Sequence, residues 1–453
     1  AAAEWVRHRY DDWGIDARSE QYGTWRGWER GITHVDLVEP RVRSLEAMLL
    51  AWSPGTDGTV RGGVVVVPEI ADSAAFAAWL PNVRGKFVAL SFGEPTCRPD
   101  ENWEEHATEA SREATLTARN EARRAWTQNL RNTGLSQREV ARALEDAGAL
   151  GILTSNWSGG WGVVRVFSAS TERTPVFSLG CEDYGLVFRL AQHDQGPVLE
   201  VEADAEFTGE VPAFNVIAEI PGTELPDEYV LLSAHFDSWD GGSGATDNGT
   251  GTLTILEAMR LLKAAYPNPK RTIIAGHWNS EEQGLNGSRA FATDHPEVVE
   301  GLQALFNQDN GTGRITRISM QGLLRAGEFF SRWLAQVPQE ITRHIELTMP
   351  GNPGGGGSDY AAFLCAGAPS FFLFAHGWDY FGYTWHTNRD TFDKVVFDDL
   401  QNNATLFAML AYLAAEDPER VPRDRRVLPV NPRTGERRTW PACRDGAREW
   451  RQR

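Results

Sequence analysis

Between about residues 213 and 400 the chain alternates short apolar runs with amphipathic ones. "FNVIAEI", "EYVLLSAHFD", "RTIIAGHW", "LQALFNQD" and "APSFFLFAH" are continuous enough to be strands covered on both faces. Between the second and third, "GTLTILEAMRLLKAAY" places its apolar residues three and four apart, which predicts a helix. Buried strands separated by such helices predict an α/β layer with a largely parallel sheet. In sheets of that kind ligands bind in crevices beyond the carboxyl ends of strands, so the residues just after each run carry the chemical interest.

Residues 57 to 206 have a different texture. "GGVVVVPEI", "GKFVALSFG", "AGALGILTSN" and "TPVFSLG" predict short strands, and the charged stretch near 101–147 predicts a helical insert. The expected organisation is a catalytic domain made of residues 1–56 and 207–420, a smaller α+β domain inserted at 57–206, and a C-terminal tail over 421–453. The N-terminal helix and "GITHVDLVEP" are expected with the α/β part, and the Pro- and Arg-rich tail is expected to wrap a surface.

A length of 453 residues suits two domains, and no apolar run approaches the roughly 20 residues that span a bilayer. The formal charge of −18 argues against nucleic acid as a partner and favours divalent cations. Four cysteines lie far apart without CxxC spacing, which excludes a Cys-rich zinc ribbon and leaves room for one or two long-range disulfides. The first residues read as an amphipathic helix rather than a signal peptide.

Five places after predicted strands carry metal-competent side chains. His235 ends "SAHF", and Asp237 two residues on can orient its imidazole. Asp247, between a Gly-rich turn and a helix start, has two oxygens able to bridge two ions. Glu281 and Glu282 follow "RTIIAGHW", and because neighbouring side chains diverge, one can bind metal while the other faces water. Asp309 follows "LQALFNQ", and "YFGYTWHTNRDTFDKV" supplies His386, with Asp390 four residues later. Two His, two Asp and one Glu without thiolate suit zinc, with manganese or cobalt as substitutes. Neither Ser243 nor Ser358 sits in a GxSxG turn, and "GNPGGGGSDY" lacks the GK[ST] of a phosphate loop, so it reads as a loop beside the cleft. His277 and His376 read as packing residues or as supports behind the ligands, while Trp239, Trp278, Trp378 and Trp385 either line a pocket or fill the core.

The ordered set HFD, GATDNGTG, EEQGLNGS, FNQDNG and WHTNRDTFDKV resembles the co-catalytic di-zinc exopeptidase family, which includes secreted bacterial aminopeptidases and plasma glutamate carboxypeptidase. The inserted region is similar to the protease-associated domain of many members. The resemblance implies a three-layer zinc-exopeptidase fold and two zinc ions that share a hydroxide. It implies His235 and Asp309 on one ion, Glu282 and His386 on the other, Asp247 bridging, Asp237 orienting His235, and Glu281 as general base and acid. Many members carry Tyr or His before the last ligand where this chain has Trp385, so an oxyanion-stabilising phenol would come from Tyr383 or Tyr380. The implied substrate is a peptide cleaved near a terminus, as by an aminopeptidase or dipeptidase, with glutamate carboxypeptidase specificity as the alternative. A single-zinc glutaminyl cyclase and a metal-free scaffold are the competing readings. Family resemblance also implies a secreted or periplasmic protein.

Overall fold

The structure is a computed structural model and describes residues 2–450. One twelve-strand path runs through the molecule, in the order Glu346–Thr348, Ile315–Ser319, Ser370–Ala375, Leu302–Asn307, Leu225–His235, Arg271–Trp278, Val198–Ile220, Val60–Val66, Phe87–Ala89, Gly151–Thr154, Val176–Leu179 and Ala47–Leu49. Leu225–His235 pairs in parallel with Arg271–Trp278 on one side and with Leu302–Asn307 on the other. Leu302–Asn307 continues in parallel to Ser370–Ala375. All eight residues of Arg271–Trp278 are buried, as a strand sandwiched between helices requires.

Helices cover both faces of this part. On one face Thr250–Ala265 places Ile255, Ala258, Met259 and Leu262 against the sheet. Helices Phe397–Glu416 and Ala326–Leu334 complete that layer. On the other face Phe291 and Phe363, from Asn286–Asp294 and Ala361–Leu364, pack on Trp278 and Leu305. The result is the three-layer α/β architecture expected.

The second lobe repeats the scheme on a smaller scale. Its strands from Val60–Val66 to Val176–Leu179 are parallel. Helix Cys181–Gln192 packs on one face and Gln137–Asp146 on the other. The latter starts with a reciprocal capping box, Ser136 with Glu139. The charged stretch folds as helices Asp100–His106, Glu109–Asn132 and Gln137–Asp146.

A long antiparallel ribbon joins the lobes. Strand Asp16–Glu39 pairs with Val198–Ile220 from Asp16 opposite Glu219 to Glu39 opposite Val198. One end of Val198–Ile220 adds to Arg271–Trp278 and the other to Val60–Val66. Residues 206 and 207 therefore lie inside a strand, and Val35 and Leu37 pack with Phe177 and Tyr184 of the second lobe.

Two disulfides tie down loops, Cys97–Cys181 and Cys365–Cys443. The second fastens the tail, where Trp440 Nε1 donates to the Leu364 carbonyl at 3.0 Å. Farther on, the Ala447 N–H donates to Asn286 Oδ1 at 2.9 Å. Among the described residues no helix is long and apolar enough to cross a membrane.

Candidate metal centre

His235 is the last residue of Leu225–His235 and is buried at the carboxyl end of the sheet. Its Nδ1–H donates to the main-chain carbonyl of Asp237 at 2.9 Å. That bond leaves Nε2 facing Asp309 Oδ1 at 3.1 Å and Asp247 Oδ1 at 3.5 Å. The Asp237 carboxylate lies 3.7 Å from Nδ1 and is engaged elsewhere. Its two oxygens accept the backbone N–H groups of Glu281 at 3.2 Å and Glu282 at 3.3 Å.

Asp247 sits on a loop that Asp390 holds from behind. The Asp390 carboxylate accepts the N–H groups of Thr246 at 2.7 Å and Asp247 at 3.0 Å, while its carbonyl accepts Ser243 N–H at 2.8 Å. The loop turns at Gly244, whose φ of +63° and proximity to Ser238 leave no space for a side chain. The Arg30 fork clasps Asp240 through two bonds of 2.8 Å and anchors the entry to the same loop.

The remaining candidate side chains gather on Asp247's other side. His386 Nε2 stands 2.9 Å from Glu282 Oε2 and 3.4 Å from Asp247 Oδ2. Asp247 thus turns one oxygen to each histidine. Ligand atoms of His235, Glu281 and Asp309 lie within 4.8 Å of one another, as do those of Asp247, Glu282 and His386. Every residue expected at the site from sequence is brought together except Tyr383, which lines a neighbouring cavity of about 350 Å³ with Thr246 and Lys394. Tyr380 is buried near Asp247, and its phenol is pushed up by burial first and by that carboxylate next.

The electrostatics fit cations. Burial, followed by neighbouring acids, raises Glu281 and Glu282 well above the usual carboxylate range. Burial first, then Asp309, raises Asp247 to about 7. Asp247 Oδ2 and Glu282 Oε1 are buried without a hydrogen-bond partner. Burial lowers the pKa of His235, but Asp309 and Glu281 overcome it and hold the group well above its ordinary value. His386 is pushed down to about 3 by burial, then by Arg165 and His235, so its ring is neutral with a lone pair to give. A buried set of carboxylates and imidazoles that repel or protonate when bare is the donor set hard and borderline divalent ions take.

Two neighbours were not read from sequence as part of the site. Asp359 comes from the Gly-rich loop, is fully buried with both oxygens unpartnered, and has its pKa raised to about 7 by burial. Its charge also raises the pKa of Glu281. No spacing in the sequence signals this, because the loop folds in from elsewhere. The other neighbour is segment 163–168 of the second lobe. Val166 N–H donates to the His386 carbonyl at 2.7 Å, and Asn388 N–H to the Val164 carbonyl at 3.0 Å. Trp385, Phe167 and Trp239 wall the His386 ring at centroid distances of 3.8, 5.1 and 5.9 Å. Of the other tryptophans, Trp278 is core, and Trp378 is largely exposed and donates to Asp399 at 3.0 Å. His277 is buried, 2.7 Å from the Tyr10 hydroxyl.

The chain is similar to known peptidases. Residues 215–411 match the sequence model of Peptidase family M28. Carboxypeptidase Q of Mus musculus is 26% identical over 399 residues, covering 87% of this chain and 76% of that protein. Leucine aminopeptidase 1 of Uncinocarpus reesii is 32% identical over 221 residues, covering 44% of this chain and 54% of that one. Among solved structures, a peptidase M28 precursor from Shewanella amazonensis superposes with a TM-score of 0.67 at 23% identity, covering 93% of this chain and 89% of that chain. A zinc aminopeptidase from Bacillus subtilis gives 0.58 at 18% identity, covering 93% and 90%. Both share the fold across both lobes.

Proposed function

Since residues 215–411 belong to peptidase family M28, we propose that this protein is a zinc-dependent exopeptidase that hydrolyses peptide bonds near a chain terminus. The observation that supports a pair of ions is Asp247, whose oxygens lie 3.5 Å from His235 Nε2 and 3.4 Å from His386 Nε2. His235 and Asp309 would hold one zinc, Glu282 and His386 the other, with Asp247 between them.

Zinc held by these residues would supply Lewis-acid chemistry at the scissile carbonyl. Glu281 takes the proton of the attacking water and delivers it to the departing amine. Its carboxylate lies within 4.8 Å of ligand atoms of His235 and Asp309, close enough to serve both tasks. Asp237 fixes the peptide bonds that carry Glu281 and Glu282. The two disulfides suit an oxidising compartment such as the periplasm or cell exterior.

The test is elemental analysis of the purified full-length protein alongside a panel of free and blocked dipeptides. About two zinc equivalents with hydrolysis near one terminus supports the reading. One equivalent with cyclisation of an N-terminal glutamine, or no metal and no turnover, sinks it.

A further inference from the structure

The second lobe carries a groove of about 1070 Å³, and none of the candidate metal ligands lines it. Its floor is the end of strand Val60–Val66. Helix Glu109–Asn132 forms one wall with Ala125 and Trp126, and helix Cys181–Gln192 forms the other with Phe188 and Ala191. Trp126 meets Phe188 edge-on at a centroid distance of 6.4 Å and links the two walls.

The floor is an unfinished sheet edge. On one side Val64 to Val66 pair in parallel with Phe87–Ala89. On the other side the ladder with Val198–Ile220 stops at Gly63 opposite Val198, and Val64 N–H makes the last bond, to the Pro197 carbonyl at 3.0 Å. Proline has no N–H to return, so the Val64 carbonyl stays open. Backbone polar groups alternate sides along a strand, which aims the N–H and carbonyl of Val66 into the groove as well. Among the described residues no strand meets them there. Farther along, side-chain amides do what a strand would. Asn129 Nδ2 donates to the Pro68 carbonyl and Asn132 Nδ2 to the Ile70 carbonyl, each at 2.8 Å, while Asn129 Oδ1 accepts the Ile70 N–H at 2.5 Å. The gap left between is filled by about three residues of extended chain, at about 3.3 Å each.

The surroundings define the occupant. Open backbone groups call for another backbone, and apolar walls on both sides take the alternating side chains of an added strand. Among the described residues the charged side chains lining the groove are Glu69 and Asp194, and neither forms an ion pair. Two unpaired acids on a chain of net charge −18 complement a cationic ligand. An acyl chain would suit the walls but leave the backbone groups unmet. A second copy of this chain would bring the same acids face to face.

We infer that the groove docks an extended segment of a partner polypeptide, aliphatic with a Lys or Arg, as an added strand along Val64 to Val66. The site is separate from the metal centre and does not depend on the exopeptidase reading.

The probes are heptapeptides, acetylated and amidated so that neither terminus is free, in which Val and Thr alternate and one Lys is moved through the sequence. Binding to the full-length protein is read by calorimetry. At least one peptide should bind, and N-methylation of its central amides or exchange of its Lys for Glu should each weaken it by about tenfold or more. Ala125→Trp fills the groove from an exposed helix position and should weaken binding to the same degree at an unchanged melting temperature. Glu69→Lys, a surface change, should abolish the preference for Lys over Glu. No binding by any peptide at about 1 mM overturns the inference. So does equal binding of the N-methylated peptide, of the Glu peptide, or by Ala125→Trp. A wild-type dimer that Ala125→Trp turns into monomer in sedimentation, or a fatty acid that displaces no peptide yet is lost in that variant, assigns the groove to another occupant and overturns it too.

Discussion

Asp237 holds Glu281 by its backbone: Asp237 Oδ1 accepts the Glu281 N–H at 3.2 Å, and Oδ2 takes the next N–H, that of Glu282. The residue reaches His235 through its carbonyl and the glutamate pair through its carboxylate. One aspartate thereby couples the end of one strand to the turn after its neighbour. Asp237→Asn would turn one acceptor into a donor facing a peptide N–H. Turnover and zinc affinity should both fall by about 10- to 100-fold, read from steady-state kinetics and chelator competition.

Glu281→Gln should keep its zinc and lose turnover by about 10²- to 10⁴-fold, the range for removing a general base. Elemental analysis beside kinetics decides. A variant with full zinc and normal turnover would show that Glu281 does not move the proton.

Asp247→Ala should lose at least one zinc equivalent, since both histidines face its oxygens. In wild type, protons compete with metal. The Asp247 carboxyl is raised to about 7 by burial, so zinc affinity should weaken as pH drops below 7 and strengthen above it. Calorimetric titration of the metal-free protein across pH 5.5 to 8 would reveal a flat profile if this is wrong.

The buried His277 gives a pH signature of its own. Burial lowers its pKa to about 3, against about 6.5 when unfolded. The unfolded chain therefore binds a proton between these values that the folded chain refuses. Stability is fully present above the unfolded value and declines as pH falls from 6.5 towards 3, by at most about 1.4 kcal/mol per pH unit for this group. His277→Gln should flatten that slope in denaturant melts, at some cost to stability from the lost Tyr10 bond.

The α/β part is legible in the sequence because its strands are buried on both faces and leave unbroken apolar runs, as in "RTIIAGHW". The candidate ligands His235, Glu281, Glu282 and Asp309 are legible because they end or closely follow those runs. The ribbon strand Asp16–Glu39 is not, since most of its residues are at least partly exposed and its buried ones fall in two short groups, Tyr22, Trp25 and Gly27, then Val35 and Leu37. Asp359 and Arg165 escape for another reason. Each sits in a segment whose local pattern is ordinary, and only folding of the glycine loop or the inserted lobe carries it to the centre.

Breaking Cys365–Cys443 by a double Cys→Ser change should cost about 2 to 5 kcal/mol by removing a 78-residue cross-link. Because the tail also bonds Asn286, which in turn donates to the Gln283 carbonyl, turnover should drop modestly as well. Thermal melts and kinetics with and without reductant separate the two effects.

The ribbon limits what can be excised from this protein. A fragment starting at residue 215 would expose Asn215 to Glu219 as a bare strand edge where Glu20 to Asp16 now pair, an open template for aggregation. It would also strip the His386 carbonyl of its donor, Val166. The smallest transplantable unit is both lobes together, because the outer one also holds the backbone of the His386 loop.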